Sequence, residues 1–290
     1  MTKRIVILII GIFLFASCAS RKKDTVKLTA TKTDQARLKY LKVKKYKNKR
    51  FRVTRKTLVD CLNGLERACL LAGNTKTAKN DLKRAFRFYE MACNLNDGEG
   101  CYNAGAIDWR RKKYHSAKVF YKKACYLKNG QGCFEMGLLS KKEKDELNRN
   151  NYLMLSCEFK YALGCKFYGD IYFNKNEIKR AYRYYKLACK LKEGIGCYNA
   201  GILVRDVDGL KDAVPLFKEA CQLKNYHGCY YTMLLAIKDN KEQMAFEYLE
   251  KSLKNGMKDW DRLEFSPELN SLRKKTKYRE LLDKYLLKTI

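Results

Sequence analysis

The sequence predicts an all-α fold, an α/α solenoid of stacked helix pairs, from three observations. Twelve of the thirteen cysteines fall into six C-x7-C pairs whose first members, Cys61, Cys93, Cys125, Cys157, Cys189 and Cys221, each stand 32 residues apart. Within that period Ala85, Phe88, Tyr89, Ala92 and Cys93 follow the i, i+3, i+4, i+7, i+8 stripe of a helix with one buried face. Pro215 and Pro267 are the only prolines, so little interrupts the helices; Pro215 must sit in a first turn or kink its helix. A unit this short cannot bury its apolar face alone and needs its neighbours to do so.

The chain opens with residues 1–17, read as a signal peptide. Lys3 and Arg4 precede an apolar run from Ile5 to Ala16, shorter than the roughly 20 residues a membrane span requires. Phe15-Ala16-Ser17-Cys18 resembles a bacterial lipobox, which implies lipidation of Cys18 as the mature N-terminus, although Phe15 stands where Leu is usual. Plain secretory cleavage and a short membrane anchor are the alternatives. Ala19 does not resemble an inner-membrane retention signal, so the expected location is the outer membrane or periplasm, with secretion as the alternative.

Residues 18–50 are read as a basic tether. Residues 21–56 hold sixteen Lys or Arg against Asp24 and Asp34, placing +14 of the chain's +31 there. Such a run lacks the apolar periodicity to bury a core and is attracted to anionic membrane or cell-wall surfaces by about 1 kcal/mol per basic residue. Nucleic acid suits the charge too, but no motif of base-stacking aromatics at fixed spacing accompanies it.

Residues 51–242 form six 32-residue repeats. The clearest blocks are Lys83-Arg-Ala-Phe-Arg-Phe-Tyr with Gly100-Cys-Tyr-Asn-Ala-Gly, and Lys179-Arg-Ala-Tyr-Arg-Tyr-Tyr with Gly196-Cys-Tyr-Asn-Ala-Gly. Each block is expected to start with a helix that the glycine-containing segment, such as Asn96 to Gly100, ends through a left-handed cap. A second helix then starts near the second cysteine. Gly105, Gly137, Gly169 and Gly201 recur on it, as expected if the two helices of a block approach closely there.

An even cysteine set in an exported chain fits a disulfide framework. Cysteines copied along as small buried residues are the alternative. Zinc is disfavoured because only His115 and His227 exist and C-x7-C lacks the short ligand spacing; no metal or cofactor is expected.

The pattern Tyr-x-x-Ala-Cys followed by Gly-x-Gly-Cys-Tyr-Asn-x-Gly, within Ala85 to Gly105, resembles the cysteine-rich Sel-like repeat proteins. These are bacterial solenoids of tetratricopeptide-like helix pairs. The resemblance covers residues 51–242 and implies one disulfide within each C-x7-C: Cys61–Cys69, Cys93–Cys101, Cys125–Cys133, Cys157–Cys165, Cys189–Cys197 and Cys221–Cys229. The period of 32 is shorter than that family's, and blocks one and four depart from the pattern at Arg149, at Lys166 and before Cys69.

Residues 243–290 keep helical periodicity without cysteine and are read as a cap that closes the array. Function is then expected from shape: a scaffold for a protein or peptide partner. Arg84, Arg87, Arg180 and Arg183, spaced i, i+3, are candidates to clamp an acidic ligand bidentately. The resemblance also implies a rival, a weak β-lactamase or penicillin-binding protein, since members of that family are so described. Ser271-Leu-Arg-Lys274 and Ser20-Arg-Lys-Lys23 match S-x-x-K, but the companion motifs are missing, so no catalytic residue is assigned.

Overall fold

From Glu66 to Lys254 the helical half-units repeat every 16 residues, each a 13-residue helix and a three-residue turn except at Gly194–Asp208, a 15-residue helix followed by Gly209 alone. The computed structural model describes residues 55–285; the signal peptide, Cys18 and the basic tether lie outside them. The helices are α1 (Arg55–Leu62), α2 (Glu66–Ala78), α3 (Leu82–Asn94), α4 (Gly98–Arg110), α5 (Tyr114–Tyr126), α6 (Gly130–Lys142), α7 (Glu146–Glu158) and α8 (Ala162–Asn174). They continue with α9 (Ile178–Lys190), α10 (Gly194–Asp208), α11 (Leu210–Gln222), α12 (Tyr226–Lys238), α13 (Glu242–Lys254), α14 (Trp260–Phe265), a 3-10 turn Pro267–Leu269, α15 (Asn270–Arg273) and α16 (Thr276–Tyr285). No strand occurs among the described residues.

The turns explain the regularity. Asn80, Asn96, Lys112, Lys128, Lys144, Lys160, Asn176, Lys192, Lys224 and Asn240 all have positive φ, and Gly209 takes the role between Lys192 and Lys224. In the α3–α4 turn the Asn96 N–H donates to Cys93 O at 3.0 Å and the Asp97 N–H to Ala92 O at 2.9 Å. These are Schellman bonds that satisfy the last carbonyls of the helix. The next helix starts at once, because Asp97, Asn129 and Asn225 accept the N–H of Gly100, Gly132 and Gly228 as N-caps.

The glycine segment therefore works differently from the sequence expectation. Asn96, not a glycine, carries the left-handed conformation, while Gly98 and Gly100 lie in the first turn of α4. Gly100 is required by proximity: a Cβ there would stand 2.6 Å from the Ala92 Cβ. The later glycines face a different partner too. A Cβ on Gly105 would stand 2.8 Å from the Tyr121 ring, and one on Gly169 2.8 Å from Tyr185. At Gly105 and Gly169 the close approach thus joins the second helix of one block to the first helix of the next, whereas Gly100 serves the approach of the two helices within a block.

Of the two placements expected for Pro215, the first turn is not the one taken. It sits inside α11, beyond the first turn, and the helix runs through it. Beyond α12 the cap is closed by Leu263, Leu269, Leu272, Tyr278, Leu281 and Leu282, packed with Met233, Phe246 and Leu249. This terminal core replaces the neighbour that a next repeat would supply.

Candidate interaction surface

The helices form two rows with different surroundings. Along the even-numbered row, α2 touches α4, α4 touches α6, and so on through α12, whereas successive odd-numbered helices approach one another less closely. In a stack of helix pairs, the row whose alternate members meet lies on the inside of the curve. The even-numbered helices therefore supply the inner surface of the array.

Polar chemistry reaches that surface through buried tyrosines. Tyr185 on α9 packs its ring over Gly169, and its hydroxyl donates to Asp170 Oδ1 at 2.9 Å. Asp170 Oδ2 in turn pairs with Lys166 Nζ at 2.7 Å, and that ammonium lies 4.1 Å from the Phe167 ring centroid. Tyr89 does the same over Gly73, with its hydroxyl donating to Asn74 Oδ1 at 2.7 Å. The two duplicated blocks thus reproduce one arrangement: glycine admits a ring from the odd row, and a residue one position on holds its hydroxyl. Near the cap, Arg205 donates to the Tyr231 hydroxyl at 2.7 Å, and Tyr198 stacks on His227 at 4.9 Å.

Burial shapes the titration of these groups. Desolvation pushes the phenols of Tyr102, Tyr185 and Tyr198 well above their usual range, and that of Tyr278 up to about 12. Asp170 adds to the effect at Tyr185, as Glu264 does at Tyr278. An acid whose folded value is raised contributes stability that is complete below its unfolded value, about 10 for tyrosine, and is lost as pH rises through the folded value. Helicity is therefore expected to fall between about pH 10 and 12, together with the appearance of tyrosinate absorbance. Helicity retained while all tyrosines ionise would contradict a structural role for these phenols.

The structure pairs all twelve repeat cysteines within their C-x7-C units, with Cα–Cα distances of 4.4 to 4.6 Å. Cys189, Cys197 and Glu219 cluster as metal ligands would, but the two sulfurs are bonded to each other and offer no thiolate. The four arginines do not converge. Arg84 and Arg87 are exposed on α3, and Arg180 and Arg183 on α9, both in the odd-numbered row. Arg84 pairs with Asp81 at 3.4 Å; Arg180 pairs with Glu177 at 2.5 Å and lies 5.5 Å from the Tyr172 ring centroid. Ser271 is exposed on the short α15, and Lys274 is exposed just after it. His115 and His227 lie on α5 and α12.

Residues of the inner surface escaped the sequence reading. Asp170 and Asn74 share a register, five residues after the second cysteine, but Ala106 and Leu138 occupy it in intervening repeats, so no repeat signal marks it. Lys166 stood out only as a departure from the pattern.

Two solved structures resemble the chain. One is a Sel1 repeat protein from Oxalobacter formigenes, matched at 16% identity and a TM-score of 0.58 over 66% of this chain and 89% of that one. The other is c5321, described as a protective antigen present in uropathogenic Escherichia coli strains and displaying an SLR fold. It matches at 16% identity and a TM-score of 0.59 over 80% of this chain. This chain spans 56% of the length of c5321. No protein-family model matches the sequence, nor does any curated protein. With the disulfides between successive helices, these likenesses establish the Sel1-like repeat fold.

Proposed function

We propose that this Sel1-like solenoid is an exported, lipid-anchored envelope protein that holds a protein or peptide partner along its even-numbered helices. The observation that carries the reading is the composition of that row. Tyr102, Asn103, Lys166, Phe167, Arg205 and Tyr231 are all partly exposed there, so aromatic area and hydrogen-bonding groups alternate along one surface. Aromatic side chains supply contact area at low entropic cost, and a surface repeating along the array suits an extended chain. The apolar run before Cys18 and the basic segment after it support export and residence at an anionic surface.

The test is capture by the oxidised full chain of crosslinked partners from an envelope fraction. Asn103→Ala with Phe167→Ala is expected to weaken capture about tenfold, the effect of losing one interface anchor. Equal capture by that variant and the parent would remove the even-numbered row from the reading. Charge reversal at Arg84, Arg87, Arg180 and Arg183 tests an acidic ligand on the odd row, and unchanged binding there rules it out. Turnover of a chromogenic cephalosporin, or penicillin attached to Ser271, would instead move the reading to the enzyme class.

A further inference from the structure

One edge of the solenoid carries a concentration of positive charge that the partner-binding row does not use. The turns from even- to odd-numbered helices all fall at the same edge, because successive helices run antiparallel. In the α2–α3 and α4–α5 turns, Lys76, Lys79, Lys83 and Arg84 are joined by Arg110, Arg111, Lys112 and Lys113. Asp81 and Asp108 are the only acids in these two stretches, residues 76–84 and 108–113. Asp81 faces Arg84, and Asp108 is buried, accepting a hydrogen bond from Ser116 and lying 4.0 Å from the Arg111 guanidinium.

This charge is local. At the opposite edge of the same repeats, residues 60–67 and 94–99 hold Asp60, Glu66, Asp97 and Glu99 against Arg67 alone. Further along the basic edge, the α6–α7 turn balances Lys141, Lys142 and Lys144 with Glu143, Asp145 and Glu146, the α8–α9 turn sets Lys175, Lys179 and Arg180 against Glu177, and the α12–α13 turn balances Lys238 and Lys241 with Asp239 and Glu242. The two basic turns are also bound into one surface. Arg111 Nη2 donates to Leu82 O at 3.0 Å, and its guanidinium lies 5.3 Å from the Phe86 ring centroid. Beside them Tyr114 is half exposed, its ring 4.7 Å from Trp109.

We propose that the edge formed by the α2–α3 and α4–α5 turns lies on an anionic phospholipid surface. Adjacent turns of a stacked array present their cations side by side on a common front, and each basic residue near a charged bilayer adds to the attraction. An amphipathic tyrosine at the rim of that front suits the headgroup level, where Tyr and Trp concentrate. An extended polyanion is less well matched, because the α6–α7 turn that follows balances Lys141, Lys142 and Lys144 with Glu143, Asp145 and Glu146, so the cations do not run continuously along the array. Docked in this way, the solenoid would keep its even-numbered row free for a partner, so the inference goes beyond the partner-binding reading and is independent of it.

The experiment is sedimentation of the oxidised full chain with vesicles of phosphatidylcholine alone and with added phosphatidylglycerol, comparing the parent with K79E/K83E/K112E/K113E. The basic segment before residue 57 is common to both, so their ratio isolates the edge. Binding to phosphatidylglycerol vesicles is expected to fall about tenfold or more, and to fall for the parent as salt is raised. Reversal of Lys238 and Lys241 is expected to leave binding within about twofold of the parent. K79Q/K83Q/K112Q/K113Q gives the same direction should the reversed variant fold poorly. Equal binding by the quadruple variants and the parent overturns the proposal. So does a parent that binds inorganic polyphosphate but not these vesicles, which would point to a polymer.

Discussion

Reduction of the disulfides is expected to dismantle the cooperative array, with the largest single effect at its centre. Each bridge closes a loop of about nine residues, for which chain entropy gives about 2.6 kcal/mol. Its place in the stack decides how that energy is felt. A bridge joins an odd-numbered helix to the next even-numbered one, and these helices run close together over less of their length than the even-to-odd pairs that alternate with them. In a linear array each unit is stabilised only by its neighbours. Loss of Cys125–Cys133, between α5 and α6, separates two halves, whereas loss of Cys61–Cys69 frays an end. C125A/C133A should therefore lower the thermal midpoint by about 5–10 °C and open a protease-sensitive site near residues 126–132. C61A/C69A should do neither to the same extent. The second cysteine of every pair is fully buried, so reduction without denaturant should wait on local opening. A thermal midpoint unmoved by complete reduction would show that packing alone holds the stack.

Much of this architecture was legible because repetition amplifies a weak signal. One helical stripe such as Ala85 to Cys93 is ambiguous, but its recurrence every 32 residues fixes the period. The finer division into 16-residue half-units was not legible, because the left-handed turn position alternates among Asn, Lys and Gly. Lysine there reads as surface charge, and only backbone geometry reveals that it closes a helix. The glycines misled for a related reason. A glycine after a helix suggests a cap, yet Gly100 and Gly132 are small because a neighbouring helix occupies the space, a relation that no local pattern encodes. Of the candidate ligand residues, the arginines were visible as i, i+3 pairs, but their assignment to the odd-numbered row depends on which helices meet across a period. The inner polar groups, Asp170 above all, belong to single repeats and so carried no periodic signature.

Gly132→Ala is expected to destabilise the protein by about 2–3 kcal/mol, the cost of forcing a side chain into a packed core. The sign is the informative part. In an exposed helix interior the same change stabilises by about 1 kcal/mol, since alanine is the better helix former. Here a Cβ would stand 2.5 Å from the Ala124 Cβ, 3.0 Å from the Cys125 backbone nitrogen and 3.0 Å from the Tyr121 carbonyl oxygen. None of these is the end of a flexible side chain, so relief requires α5 and α6 to move apart. The Cys125–Cys133 bridge opposes that movement, with Cα atoms only 4.5 Å apart. Two consequences separate this account from a simple loss of glycine flexibility. Exchanging the residues, A124G/G132A, should recover about half of the loss, because it removes the Cβ clash but leaves the two backbone contacts. Combining G132A with C125A/C133A should cost less than the sum of the separate losses, because the helices are then free to separate. Additive losses in that cycle, measured by denaturant unfolding, would mean that the bridge does not hold the two helices at their close approach.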